Sequence, residues 1–223
     1  MEASAKMSQL TFKFPFKTNY YEEDFYVSSN NFEAYKLIES WPNWPDKKIN
    51  IFGPSGCGKT HLSNILKKKI NSIFIEASEL TGKSVEDLKL KECIIIDNYD
   101  ANIEEELFYS VINNANLLNQ YLLINSITPI KKMNIRLKDL YSRLDSFIVL
   151  GIELPTDDLL RVILTKSFSD KQIDINVKLL EYILKNIDRS YEKIFNFVKE
   201  LDLASLSSGK SININLIKKV LNK

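Results

Sequence analysis

The sequence predicts an α/β fold, a parallel sheet with helices on both faces followed by a small C-terminal all-α domain, and three observations predict it. Short β-rich runs alternate with helical patterns between residues 49 and 150, as in a parallel sheet wound with crossover helices. A glycine-rich turn, Gly53-Pro54-Ser55-Gly56-Cys57-Gly58-Lys59-Thr60, joins the first run to the helix after it. Beyond Pro155 the β-rich runs stop and amphipathic helical segments follow one another.

Taken in order, residues 32–41 carry Phe32, Tyr35, Leu37, Ile38 and Trp41 at helical spacing. Pro42 and Pro45 end that helix, since a proline nitrogen has no proton to give the next turn. Residues 49–52 form an apolar run stopped by glycine, and residues 61–70 read as a helix, which puts the glycines in a strand-turn-helix setting. Residues 72–76, 92–97, 121–125 and 147–150 are further β-rich runs, with a helical pattern over 104–118. Residues 156–169, 177–185, 191–207 and 213–221 read as amphipathic helices with polar breaks between them.

Composition narrows the function classes. With 223 residues, 44% of them hydrophobic, the chain has ample material for a core. Thirty Lys plus Arg against twenty-nine Asp plus Glu give a net charge of +1, so no global field holds this protein on nucleic acid. The clusters Lys67-Lys68-Lys69 and Lys218-Lys219 read as solvated helix faces. His61 is the one histidine, and Cys57 and Cys93 the two cysteines, too few for a Cys/His zinc cluster or a disulfide framework. Both thiols are expected to be free in a reducing cytoplasm. The start, MEASAKMSQL, lacks the basic and apolar stretches of a secretory signal, and no apolar run reaches the roughly 18 residues of a membrane span. The expected location is cytoplasmic.

The turn matches G-x-x-x-x-G-K-[ST] at every fixed position. Its glycines let the backbone N–H groups of Ser55, Gly56, Cys57 and Gly58 turn inward around a β-phosphate, with the positive end of the following helix aimed at the same anion. Lys59 is the counter-charge for the β- and γ-phosphates, Thr60 is a Mg²⁺ ligand, and His61 joins the same nucleotide-contacting set. A metal-bound triphosphate also needs a carboxylate at the end of a neighbouring buried strand. Cys93-Ile94-Ile95-Ile96-Asp97 supplies Asp97. The expected cofactor is ADP or ATP with Mg²⁺.

Two segments carry a family resemblance. Asp24-Phe25-Tyr26-Val27-Ser28-Ser29-Asn30 and Gly58-Lys59-Thr60-His61-Leu62 together look like the AAA+ module of the bacterial replication initiator DnaA, and the likeness extends over nearly the whole chain. It implies a P-loop AAA+ sheet with a helical lid, divided as an extended segment over 1–18, a nucleotide-binding domain over 19–152 and a lid over 153–223. It places Phe25 and Val27 on the way into the adenine pocket; the alternative is that both are core residues of an N-terminal strand. Leu122-Leu123-Ile124-Asn125-Ser126 resembles the strand whose polar end contacts the γ-phosphate or the attacking water, with Asn125 assigned and Ser126 as the alternative. Ser142-Arg143-Leu144-Asp145 resembles the family's arginine-finger box, so Arg143 is expected to enter a neighbouring protein's nucleotide site. Its alternative is a surface salt bridge with Asp139 or Asp145.

The chain also departs from the pattern. The residue after Asp97 is normally acidic and activates water, whereas Asn98 is an amide that accepts no proton, so weak or absent intrinsic hydrolysis is expected. Asp100 and Glu104 stand as substitutes. In the lid, Glu192 falls where an arginine belongs, and Arg189, one turn earlier, is assigned to the nucleotide in its place. The chain stops after the lid, so no DNA-reading module and no sequence-specific DNA binding are expected.

A short DnaA relative with Asp97-Asn98 and no such module resembles the Hda family, which inactivates DnaA. Gln9-Leu10-Thr11-Phe12-Lys13-Phe14 fits that likeness, being similar to the family's sliding-clamp-binding peptide: Gln9 offers its amide, and Leu10, Phe12 and Phe14 are the apolar anchors. The alternative is an ordinary edge strand, since Leu10, Phe12, Phe14 and Phe16 alternate with other residues. The function implied is a regulator that binds nucleotide and the clamp, self-associates through AAA+ interfaces and stimulates hydrolysis of DnaA-bound ATP. The runner-up is an ATP-hydrolysing helicase loader or motor, and a third reading is a P-loop scaffold whose nucleotide is purely structural.

Overall fold

A computed structural model of the chain describes residues 20–83, 87–100, 102–208 and 211–221. Gln9, Leu10, Phe12 and Phe14 lie outside the described residues. The chain divides into two compact units between Leu154 and Pro155.

The first unit is built on five parallel strands, β1 (Lys48–Phe52), β2 (Ser72–Glu76), β3 (Cys93–Tyr99), β4 (Tyr121–Ser126) and β5 (Ile148–Gly151), in the order β2-β3-β4-β1-β5. Its helices are α1 (Phe32–Glu39), α2 (Lys59–Lys69), α3 (Glu105–Leu117) and α4 (Lys138–Leu144). The unbroken apolar run Cys93-Ile94-Ile95-Ile96 is fully buried because both faces of the sheet are covered. On one face Ile94 and Ile96 of β3 and Leu122 and Ile124 of β4 join Phe108, Val111 and Ile112 of α3 and Leu140 and Leu144 of α4. Side chains alternate along a strand, so Ile95, Asp97, Leu123 and Asn125 project from the other face. There Asn125 reaches Ser63 of α2, which fixes α2 on that side.

The boundaries differ from the sequence reading where local chemistry intervenes. The first helix ends at Glu39 rather than residue 41, because Trp41 precedes Pro42 and the proline ring crowds a helical backbone there. α2 begins at Lys59, two residues early, since Gly58, the turn's last glycine, already serves as its N-cap. β3 continues to Tyr99 by means of an irregularity at Asn98. α4, at seven residues, is under two turns long, and a periodic pattern that short is not legible.

Two polar anchors fix the carboxyl end of β4 beside β1 and the entry to α4. Asn50, fully buried on β1, donates to Ile124 O (3.0 Å) and Ser126 Oγ (2.9 Å) and accepts from Ile130 N (3.2 Å). Glu105, at the start of α3, accepts from the backbone N–H groups of Arg136 (2.9 Å) and Leu137 (2.6 Å), which sets the entry to α4. Those two N–H groups hold the Glu105 carboxyl below its ordinary range.

The second unit contains α5 (Asp157–Asp170), α6 (Val177–Asn186), α7 (Tyr191–Ser208) and α8 (Ile214–Leu221). Thr156 and Asn176 cap α5 and α6 by accepting from Leu159 N and Leu179 N. Leu160, Leu164, Phe168, Ile183, Ile194 and Ile217 bury its core. Among the described residues no helix is long and apolar enough to cross a membrane.

Candidate functional site

The loop between β1 and α2 is shaped by close approaches that only glycine allows. A Cβ on Gly53 would lie 2.5 Å from the carbonyl oxygen of Ile152. Gly58 has φ +102 as N-cap of α2, and a Cβ there would lie 2.8 Å from the Phe25 ring. The first N–H groups of α2 therefore open toward the inside of the loop, as an anion requires. Lys59, almost wholly buried, turns back on the loop and donates to Gly53 O (2.8 Å) and Pro54 O (3.0 Å).

Behind the loop stands a buried polar network. Thr60 Oγ1 donates to Asp97 Oδ2 at 2.6 Å, and Asn125 Nδ2 donates to Asp97 Oδ1 at 2.8 Å. The same Asn125 nitrogen reaches Ser63 Oγ at 2.7 Å. Asp97 is fully buried, and in so low a dielectric two charge-assisted hydrogen bonds fix the carboxylate firmly. The Oδ1 of Asn125 is buried with no hydrogen-bond partner among the described residues, an acceptor held without a donor. β4 lies between β1 and β3, so the polar end of β4 meets the loop after β1 and the acid at the end of β3 at one place. The oxygens of Thr60 and Asp97 suit a hard divalent cation, which takes a hydroxyl, one carboxylate and phosphate oxygens. Ser63 was not singled out in the sequence, although its position three residues after Thr60 puts both on one helix face.

An aromatic cluster borders the loop. Phe25 stacks on Tyr35 (5.7 Å between centroids, 7° between planes) and meets His61 edge-on (5.4 Å, 79°). Tyr20 packs edge-on against the other side of His61 (5.3 Å), and His61 Nε2 lies 2.6 Å from Tyr21 O. Val27 is half-buried nearby in sequence, before a turn in which Asn31 accepts from Ser28 N (2.8 Å) and donates to Tyr26 O (2.9 Å). Asn30 donates to Leu154 O (3.0 Å), tying this segment to the end of the unit. Burial, then the charges of Asp97 and Glu76, push the Tyr20 phenol up. Neither Tyr20 nor Glu76 carries a sequence motif, and folding alone brings them here.

The remaining site residues fall as follows. Ser55 and Gly56 are at the exposed crest of the loop, with Gly56 at φ +79. Cys57 is buried, and burial pushes its thiol up. Cys93 is buried at the start of β3, its thiol pushed up to about 12. Ser126 Oγ is engaged, donating to Thr128 O at 2.7 Å. Arg143 is exposed on α4, and its guanidinium forms no ion pair with Asp139, Asp145 or any other described residue. In the second unit Arg189 is exposed and paired with Asp157 at 2.9 Å, and Glu192 is exposed on the first turn of α7.

Comparison with known proteins agrees with this fold. Residues 157–221 match the family model described as the Hda lid domain. The chromosomal replication initiator protein DnaA of Buchnera aphidicola subsp. Baizongia pistaciae is 25% identical over 99% of this chain and 54% of its own length. The chain spans about half the length of the curated initiators it matches. Among solved structures, domain III of the Thermotoga maritima replication initiation protein DnaA superposes with a TM-score of 0.74 at 19% identity, covering 94% of this chain and 98% of that one. AMPPCP-bound DnaA from Aquifex aeolicus superposes with a TM-score of 0.68 at 21% identity, covering 84% and 66%. Residues 157–221 are thus similar to the Hda lid domain, and the chain as a whole is similar in sequence to DnaA initiators and shares the fold of DnaA domain III.

Proposed function

We propose that this chain is a cytoplasmic regulator of replication initiation that holds ADP or ATP with Mg²⁺ and acts on the nucleotide of another protein, the initiator DnaA. The observation that carries the reading is a complete phosphate loop, backed by the Thr60–Asp97 contact at 2.6 Å, in a chain that also displays an exposed Arg143 whose guanidinium pairs with no described residue. In this reading the N–H groups of Ser55, Gly56, Cys57 and Gly58 receive the β-phosphate, and Lys59 leaves the neutral carbonyls of Gly53 and Pro54 for phosphate oxygens. Thr60 and Asp97 hold the metal, which when bound neutralises charge on the β- and γ-phosphates. Asn125 orients the γ-phosphate end, while Phe25, Val27 and His61 border the base.

Arg143 acts in trans. A guanidinium is planar, always charged and weakly hydrated, so it can enter a partner's pocket and stabilise the transferring phosphoryl group, an effect of about 10³- to 10⁵-fold in rate. The peptide Gln9 to Phe14 docks on the sliding clamp, which concentrates the regulator at loaded DNA. AAA+ surfaces serve both self-association and the encounter with DnaA. The chain's own turnover is incidental to this task.

The test mixes this protein with ATP-loaded DnaA, clamp and DNA and follows hydrolysis of the DnaA-bound ATP. Wild type is expected to accelerate it and Arg143→Ala to abolish the acceleration, while Gln9→Ala with Leu10→Ala loses clamp binding and keeps nucleotide binding. Acceleration by Arg143→Ala equal to wild type would refute the trans role. Rapid ATP turnover by this chain without DnaA would favour a loader or motor instead.

A further inference from the structure

The amide at Asn98 leaves the site without the acid that usually follows the metal-binding aspartate, and the geometry of β2 and β3 bears on what replaces it. The two strands run parallel with Glu76 opposite Asp97. Residues paired across neighbouring strands project from the same face, so both carboxylates lie on the α2 side, one strand spacing apart. In a regular strand Asn98 would point the other way. Instead the pairing of β3 with β4 passes from Ile96–Ile124 to Tyr99–Ser126, three steps on β3 against two on β4, and Asn98 takes φ +56. An extra residue of this kind re-aims a side chain, and asparagine is among the few residues that tolerate the left-handed region. As a result Asn98 Nδ2 donates to Glu76 Oε2 at 2.9 Å.

Two other acids nearby, Asp97 and Asp100, are committed elsewhere. Asp97 has one oxygen on Thr60 and the other on Asn125. Asp100 accepts from Asn102 N and Nδ2 within its own loop. Glu104 lines one cavity with Glu76 and Asn98, and no hydrogen bond among the described residues ties its carboxylate to Asn98. Glu76 has Oε2 held by Asn98, and among the described residues no donor is recorded at Oε1. The Tyr20 phenol feels both Asp97 and Glu76, as expected of two carboxylates bordering one space.

We propose that Glu76 is the carboxylate that activates water for hydrolysis of a nucleoside triphosphate in this chain's own site, with Asn98 as its positioning residue. The inference rests on the loop being a nucleotide site. In the step, the water oxygen bonds to the γ-phosphorus as the bond from phosphorus to the β–γ bridging oxygen breaks. The bridging electron pair stays on the departing diphosphate, and the water proton passes to Glu76, which then releases it to solvent. Oε1 accepts the proton while Oε2 stays on Asn98, so an amide in the usual position of the acid orients the base instead of being one.

The experiment uses the full chain with a fluorescent ATP analogue for affinity and ATP for single-turnover hydrolysis, protein in excess. Glu76→Gln is expected to slow hydrolysis by about 10²- to 10⁴-fold with the analogue's Kd unchanged, so that bound ATP persists. Asn98→Ala should lose about 10-fold, less than the loss at the base itself, as for a residue acting through another. The exchange variant, Glu76→Asn with Asn98→Glu, should recover rate over Glu76→Gln, which a merely structural pair would not do. In nucleotide-free protein the side-chain amide NMR signals of Asn98 should move in Glu76→Gln and stay in place in Asp100→Asn. Hydrolysis by Glu76→Gln at the wild-type rate, or wild type that binds ATP and never hydrolyses it, would overturn the proposal. Failure of wild type to bind the analogue would show up separately, in the titration, and would overturn the nucleotide reading itself.

Discussion

The two faces of one sheet in this molecule are built on opposite principles. Toward α3 and α4 the strands present Ile94, Ile96, Leu122 and Ile124 against Phe108, Val111 and Leu140, with no charge buried among them. Toward α2, at the carboxyl ends of the same strands, they present Asp97 and Asn125 to Thr60 and Ser63. The apolar face contributes non-directional burial, about 1.5–3 kcal/mol for each fully buried large side chain. The polar face recovers little net free energy from its hydrogen bonds after desolvation, about 1 kcal/mol each, yet it fixes oxygen and nitrogen atoms to within tenths of an ångström. Strands β3 and β4 serve both at once because alternate residues point opposite ways. Stability and site geometry are thereby separated by one residue of register.

The largest break in that comparison comes from the apolar side. Phe108→Ala empties a fully buried ring position that stacks on Tyr99 at 4.1 Å, and should cost about 3–5 kcal/mol in urea unfolding. The protein that remains folded should bind nucleotide as wild type does. Next comes the loop: Gly58→Ala forces a Cβ to within 2.8 Å of Phe25 at φ +102, with an expected loss of about 1–3 kcal/mol in stability. Unlike Phe108→Ala, it should also weaken nucleotide binding, because the strain falls on the N–H groups that face the anion. A stability loss with unchanged affinity would mean that the loop and the site are less closely coupled than drawn here.

A smaller effect tests the link between α3 and α4. The Glu105 carboxyl is lowered from its ordinary 4.5 by the N–H groups of Arg136 and Leu137. A depressed carboxyl adds stability above its unfolded value and loses it as pH falls through the folded one. Glu105→Gln should therefore lower Tm at pH 7 more than at pH 3, and the two curves should converge in acid. Parallel curves would remove Glu105 from the set of groups that fix α4 and hence Arg143.

Much of this was legible in residue pattern. The strand-turn-helix around Gly53 to Thr60 and the apolar run ending in Asp97 appear where spacing placed them, because glycine geometry and burial on both faces leave few alternatives. What escaped is what only tertiary pairing creates. α4 is too short for a period to register, Ser63 means little until Asn125 stands opposite it, and the partnership of Glu76 with Asn98 depends on an extra residue in β3. Phe25 illustrates an intermediate case: the resemblance puts it on the way into an adenine pocket, while its stacking on Tyr35 and its close approach to Gly58 come from the folded chain.

In the proposed function Thr60, Asp97 and Asn125 hold a metal-bound nucleotide. Calorimetric titration of ATP with and without Mg²⁺, on wild type and on Asp97→Asn, tests it most directly. Wild type should gain about 10-fold or more in affinity from Mg²⁺, the worth of one charged ligand, and Asp97→Asn should gain none. Equal Mg²⁺ dependence in the two proteins would contradict the account.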